Sequence, residues 1–261
     1  QQYALDPANP HLLYFCDNLA HAADTAADWA ARGFHGFFFG SIAGDWITDV
    51  WATDDDPATR GEADALLQEA RSAIGRMREA GLTDSVLKLA FYSRLPDPFD
   101  DESYARLTEN LRQDATFAKL AGFTAFAIDT EYVSEQYDPS WEGYDRTKHT
   151  KAEFAAKLRE RWQAAGRALA EANPEIPILV LPEGVMYYGP LWMEVFGGLL
   201  EGLDTGGSTS GIHLFCEGSY SLVEPDEMRD QAAAVRTLAA AKLTGPAREV
   251  WHRRGRIALG V

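Results

Sequence analysis

Short apolar runs alternate along this chain with longer stretches in which apolar positions recur every three or four residues. That pattern predicts strands over 11–17, 34–40, 86–92, 123–132, 178–183, 211–217 and 256–261. Between them it predicts helices over 22–32, 62–80, 101–121, 151–172, 191–203 and 224–243. Punctuation supports the boundaries: Gly33 and Asn173-Pro174 end helices, and Asp100 or Asp101 caps one. A strand-helix alternation that repeats about every 35 to 45 residues calls for parallel strands joined by right-handed crossovers. The expected fold is therefore α/β, a (β/α)8-type TIM barrel. No linker divides the chain, so 1–261 reads as a single barrel domain. Only seven strands can be read, so the barrel is expected to lack its last strand-helix unit.

The strand around Ala127 carries the sharpest signal. Side chains of a strand alternate between its faces, so Asp129 and Glu131 share a side with the small Ala125 and Ala127, while Phe126 and Ile128 take the other. Bulky residues packed outward under helices leave room inside for acids at the carboxyl end, where barrels of this kind place their chemistry. Asp17, Glu183 and Glu217 end other strands in the same way. If the strands are parallel, all five acids meet at one rim. Crowded carboxyls raise one another's pKa and separate a protonated acid from an ionised base.

Composition narrows the substrate. Asp plus Glu outnumber Lys plus Arg by 40 to 24, a net charge of -16 that argues against nucleic acid or an anionic membrane as partner. Apolar runs stop well short of the ~20 residues that span a bilayer. The long loops 41–59 and 133–150, and the strand ends, supply Trp46, Trp51, Tyr92, Tyr132, Tyr137, Trp141, Tyr144, Tyr187, Tyr188 and Tyr220. Flat aromatic faces beside acids suit the C–H faces and hydroxyls of a sugar. Trp46, Tyr92, Tyr132, Trp141, Tyr188 and Tyr220, with the acids Asp17 and Asp45, are the expected carbohydrate-binding residues; Asp49 shares the loop of Asp45.

Cys16 and Cys216 each precede a strand-end acid and so face outward from strands that are not neighbours, which makes a disulfide between them improbable. An amino-terminal Gln1 in place of Met suggests a processed or trimmed chain, and a secreted or periplasmic location is expected ahead of a cytoplasmic one. His213 shares the inward parity of Phe215 and Glu217 and is expected as a hydrogen-bonded core residue. Zinc-type spacing, a phosphate-binding glycine loop and a Gly-x-Ser-x-Gly elbow are all missing, and neither a cofactor nor a metal is expected.

The run Ala127-Ile-Asp-Thr-Glu-Tyr132 resembles the Asp-x-Glu ending of the fourth strand in chitinase-like barrels of glycoside hydrolase family 18, and more loosely other barrel glycosidases. The resemblance implies Glu131 as proton donor and Asp129 as its helper. The family's earlier acids fall here on Thr124 and Ala127, so substrate-assisted chemistry does not carry over. Two carboxyls must then flank the scissile bond, with Glu217 or Glu183 as partner to Glu131. A glycosidase is the first expectation. The alternatives are a metal-dependent sugar isomerase holding Mg²⁺ or Mn²⁺ with the rim acids and His213, or a sugar-binding barrel without catalysis.

Overall fold

A computed structural model describes residues 11–40, 42, 57–90, 95–131, 141 and 143–260. Seven strands form one sheet in chain order: β1 (Leu13–Cys16), β2 (Gly36–Phe39), β3 (Asp84–Ala90), β4 (Ala125–Asp129), β5 (Ile178–Leu181), β6 (Ile212–Cys216) and β7 (Gly255–Leu259). Every adjacent pair is parallel. The helices are α1 (Leu19–Ala31), α2 (Pro57–Glu79), α3 (Asp101–Ala121), α4 (Lys151–Ala172), α5 (Pro190–Thr205), α6 (Pro225–Lys242) and α7 (Gly245–Arg254).

Alternation along the strands builds two apolar layers. Phe37 and Phe39 of β2, Phe126 and Ile128 of β4, and Ile212 and Leu214 of β6 pack outward into the main core with the helices. The residues between them, Phe38, Ala125, Ala127, Leu179, Leu181 and Phe215 among them, form a smaller inner cluster. Small alanines on β4 inside and bulky residues outside are the division expected from the sequence. The rings of Phe38 on β2 and Phe215 on β6 lie 6.4 Å apart although three strands separate them in the sheet, so the sheet is strongly curled. Among the described residues β1 and β7 are each paired on one side only, leaving a half-barrel open between them. Inner residues at this gap, Leu13 and Ala258, are only partly buried, and Phe15 is 46% exposed.

Local chemistry sets the helix ends. The Asp100 side chain accepts from Ser103 N at 3.1 Å and so caps the start of α3. Gly122 closes α3 at φ 91°, which favours glycine. Thr150 and Glu153 exchange hydrogen bonds in a capping box that starts α4. Gly166 lets α4 and α5 approach closely, since a Cβ there would come within 2.5 Å of the Leu199 carbonyl oxygen. Arg159 fastens the same pair of helices by reaching Glu194 at 2.7 Å and Glu201 at 2.6 Å.

The elements differ from expectation in four places. Helix α1 starts at Leu19 because Asn18 caps it, accepting from His21 N at 2.9 Å. Helix α2 starts at Pro57, a residue suited to a first helical position because it lacks the N–H that would go unpaired there. Short 3-10 turns, Glu183–Met186 and Glu217–Ser219, follow β5 and β6 directly. Helix α7 was not expected: Arg248, Glu249, His252, Arg253 and Arg254 hide a stripe in which only Ala247, Val250 and Trp251 are buried. Both cysteines are free. Among the described residues no helix is long and apolar enough to cross a membrane.

Candidate active site at the carboxyl rim

Because all seven strands run the same way, Asp17, Asp129, Glu131, Glu183 and Glu217 lie at the same end of the sheet. Their roles in the geometry differ. Asp129 ends β4 on its inner face and is only 2% exposed. One of its oxygens accepts from Lys88 Nζ at 2.8 Å and the other from the Glu131 backbone N–H at 3.0 Å. Lys88 comes from the inner face of β3 and also lies over the Phe15 ring, 5.7 Å from its centroid. Asp17, past the end of β1, sits against Gly40, where a Cβ would meet its Oδ1 at 2.3 Å and the Lys88 Cε at 3.9 Å.

Glu183 is buried, 7% exposed, and accepts from two backbone donors of the next strand end: Glu217 N at 2.7 Å and Gly218 N at 2.8 Å. The Cys216 thiol reaches it at 3.4 Å. Glu131 and Glu217 are thus held alike. Each donates its own backbone N–H to a buried carboxylate that precedes it, Asp129 for Glu131 and Glu183 for Glu217.

Glu217 is half-buried at the head of its turn. Burial pushes its carboxyl up to about 7, and the charges of Glu131, Glu183 and Asp129 push the same way, while a hydrogen bond with the Tyr220 hydroxyl opposes them. Tyr220 is raised in turn, to about 12, by burial and by the charges of Glu217, Glu131 and Glu183. Tyr220 is 55% exposed, and its ring touches Phe215 edge-on at 6.3 Å and covers Gly260 just past β7. A Cβ at Gly260 would come within 2.0 Å of that ring. The Ser219 hydroxyl ties the turn to β7, 2.7 Å from the carbonyl oxygens of Cys216 and Gly260.

Tyr188 covers Gly184 just after β5, and Tyr187 beside it has Lys242 over its ring at 5.7 Å. Trp141 goes elsewhere. It packs on Phe154 at 5.1 Å and on Tyr144 at 5.6 Å against the outer core, with Arg146 over its ring. This loop cluster also holds His149, stacked on Phe99 at 3.7 Å, so these aromatics anchor the loop to α4. The expected ligands Asp45, Trp46, Tyr92 and Tyr132, with Asp49, Trp51 and Tyr137, lie outside the described residues. Lys88 and Phe15 are rim residues that sequence reasoning passed over. A lone lysine within the inner face of a strand was the available signal for the first.

His213 lies deeper on the inner face of β6, 5% exposed, where burial and the nearby charge of Arg256 lower its pKa to about 4. Among the described residues no three His, Cys, Asp or Glu side chains are grouped to hold one metal ion.

No family model matches the sequence. No curated protein matches it either. Among solved structures the chain is similar to an old yellow enzyme homologue from Zymomonas mobilis, at 12% identity and TM-score 0.47, over 96% of this chain and 78% of that one. It is similar also to a protein from Anabaena variabilis described as a sugar phosphate isomerase or epimerase, at 12% identity and TM-score 0.43, over 90% and 72% of the two chains. A third is a Bacteroidetes-affiliated GH5 cellulase linked with a polysaccharide utilization locus, at 11% identity and TM-score 0.41, over 91% and 74%. These likenesses are too distant to bear on activity. The α/β half-barrel rests on the chain's own strand order and curl.

Proposed function

We propose that this protein is a glycoside hydrolase acting on a neutral oligosaccharide or polysaccharide, with Glu217 and Glu131 as its two working carboxyls. The observation that carries the reading is the grouping of Glu217, Glu131 and Tyr220 at one rim: a half-buried carboxyl raised to about 7, a second whose charge helps raise it, and an exposed aromatic ring in the same turn as the first. A glycosidic oxygen leaves more easily when protonated, and a carboxyl with its pKa near neutrality is still protonated at working pH. Glu217 is therefore the proton donor. Glu131 is the nucleophile or base, the reverse of the assignment implied by its chitinase-like strand end.

Asp129 and Lys88 support Glu131 by fixing its backbone. Tyr220 offers its face to a sugar ring. Asp17 and Tyr188 are hydroxyl-binding and stacking candidates at the same rim. The acid surplus of the chain disfavours uronic acids and favours uncharged sugars.

A panel of polysaccharides, nitrophenyl glycosides and dinitrophenyl glycosides tests the reading with wild type, Glu217→Gln and Glu131→Gln. Wild type should turn over at least one substrate, and both variants should lose about 10³-fold or more on unactivated ones. Dinitrophenolate leaves without a proton, so Glu217→Gln should keep much of its rate on that substrate while Glu131→Gln does not. Binding without turnover in all three proteins would instead show a sugar-binding barrel.

A further inference from the structure

The third rim glutamate has no place among those two working carboxyls. We propose that Glu183 is a positioning residue, which clamps the turn carrying Glu217 through its two carboxylate oxygens and does not itself react with substrate. The proposal rests on the glycosidase reading for its kinetic arm only.

The geometry leaves Glu183 little freedom to react. Its Oε2 accepts from Glu217 N at 2.7 Å. Its Oε1 accepts from Gly218 N at 2.8 Å and takes the Cys216 thiol at 3.4 Å. A carboxylate nucleophile must present an oxygen to the sugar, and here both point into the backbone of the next strand end. The turn is also shaped to receive it: a Cβ at Gly218 would come within 2.9 Å of Oε1, closer than ordinary contact. Two charge-assisted bonds to successive N–H groups fix the direction in which the chain leaves β6, and so the place of the Glu217 side chain.

The clamp acts on Glu217 in a second way, through its charge. Glu217 faces Asp129 at the end of β4 and Glu131 just past it, Glu183 from the turn after β5, and Tyr220 from its own turn, with Lys88 compensating Asp129. Of the carboxylates, Glu183 is the one bonded to the Glu217 backbone itself. Removing its charge lets Glu217 ionise at lower pH, an effect that lost packing alone would not produce.

Glu183→Gln tests both effects. The amide keeps the shape and one acceptor, turns a donor toward one backbone N–H, and removes the charge. With carboxyl-¹³C-labelled glutamate, the Glu217 resonance is assigned by its loss in Glu217→Gln and titrated in wild type and Glu183→Gln. The midpoint should fall by about half a unit or more. The rate should fall about 10- to 100-fold, well short of the loss in Glu217→Gln, and the basic limb of kcat/KM should move down with the midpoint. Gly218→Ala, which presses on the same contact with Glu183 intact, should lower kcat without removing the charge and keeps the clamp testable if Glu183→Gln does not fold. A Glu183→Gln loss as deep as that of Glu217→Gln, or an unshifted midpoint, would overturn the proposal. If no glycoside is turned over by wild type, the functional reading fails while the titration still decides for or against the clamp.

Discussion

Lys88 Nζ lies 2.8 Å from Asp129 Oδ2 inside the half-barrel, with 13% and 3% of the two side chains exposed. A buried pair of this kind adds little net stability, because desolvation cancels most of the attraction, but losing one partner strands the other. Lys88→Met should therefore destabilise the fold by about 3–5 kcal/mol. The double variant Lys88→Met/Asp129→Asn should recover much of that, since Asn still accepts from Glu131 N. Urea denaturation of the two variants and wild type at neutral pH makes the comparison, and equal losses in both would contradict it.

The fold was legible because strand parity and helix spacing act locally. Phe126 and Ile128 outward, with Ala127 and Asp129 inward, follow from alternation alone. The gathering of strand-end acids at one rim followed from parallel pairing. What each acid does there was not legible. Whether Glu183 faces substrate or the Glu217 amide depends on the turn after β6, a contact across 34 residues that no spacing encodes. Trp141 read as a sugar platform because an aromatic in a long loop looks alike whether it faces a mouth or, as here, Phe154 of α4. Helix α7 was missed for a related reason: its buried stripe is three residues among many charges.

Tyr220 offers a second prediction, because its position depends on Gly260. The hydroxyl stabilises ionised Glu217, so Tyr220→Phe should raise the Glu217 pKa and move the basic limb of kcat/KM to higher pH. Gly260→Ala puts a methyl where the ring lies, at a distance of 2.0 Å, and must displace it. Both variants should lose about tenfold in kcat/KM, the scale of one hydrogen bond to a charged group, with melting temperatures near wild type. A limb that moves down in Tyr220→Phe would show that the hydroxyl does not donate to Glu217.

Glu217 itself links activity to pH. Its folded pKa, about 7, exceeds the ordinary glutamate value of 4.5, so the folded protein holds this proton where the unfolded chain releases it. Activity that needs the protonated acid should fall as pH rises through about 7. Stability should follow the same sign: the contribution is whole below pH 4.5 and is lost as pH rises toward 7. Partial solvent access screens the effect to the order of 1 kcal/mol. Glu217→Gln, which cannot ionise, should gain on wild type between pH 5 and 8 in urea denaturation, and an unchanged difference across that range would rule the shift out.

His213 should produce the opposite slope. It lies under the rim on the inner face of β6, where burial first and the charge of Arg256 second hold its pKa at about 4 against the ordinary histidine value of 6.5. Below 6.5 the unfolded chain takes up a proton that the folded protein refuses, so stability is whole above that pH and is lost as pH falls toward 4. A shift of this size in a buried group corresponds to roughly 3 kcal/mol. His213→Phe, which keeps a flat ring between Phe215 and the base of the barrel, should flatten the acid side of the stability profile and leave the basic side, set by Glu217, in place. Thermal or urea melts from pH 4 to 8 separate the two limbs. If both change together in His213→Phe, the histidine and the rim carboxyls titrate as one network, and the division of labour between the depth of the barrel and its mouth does not hold.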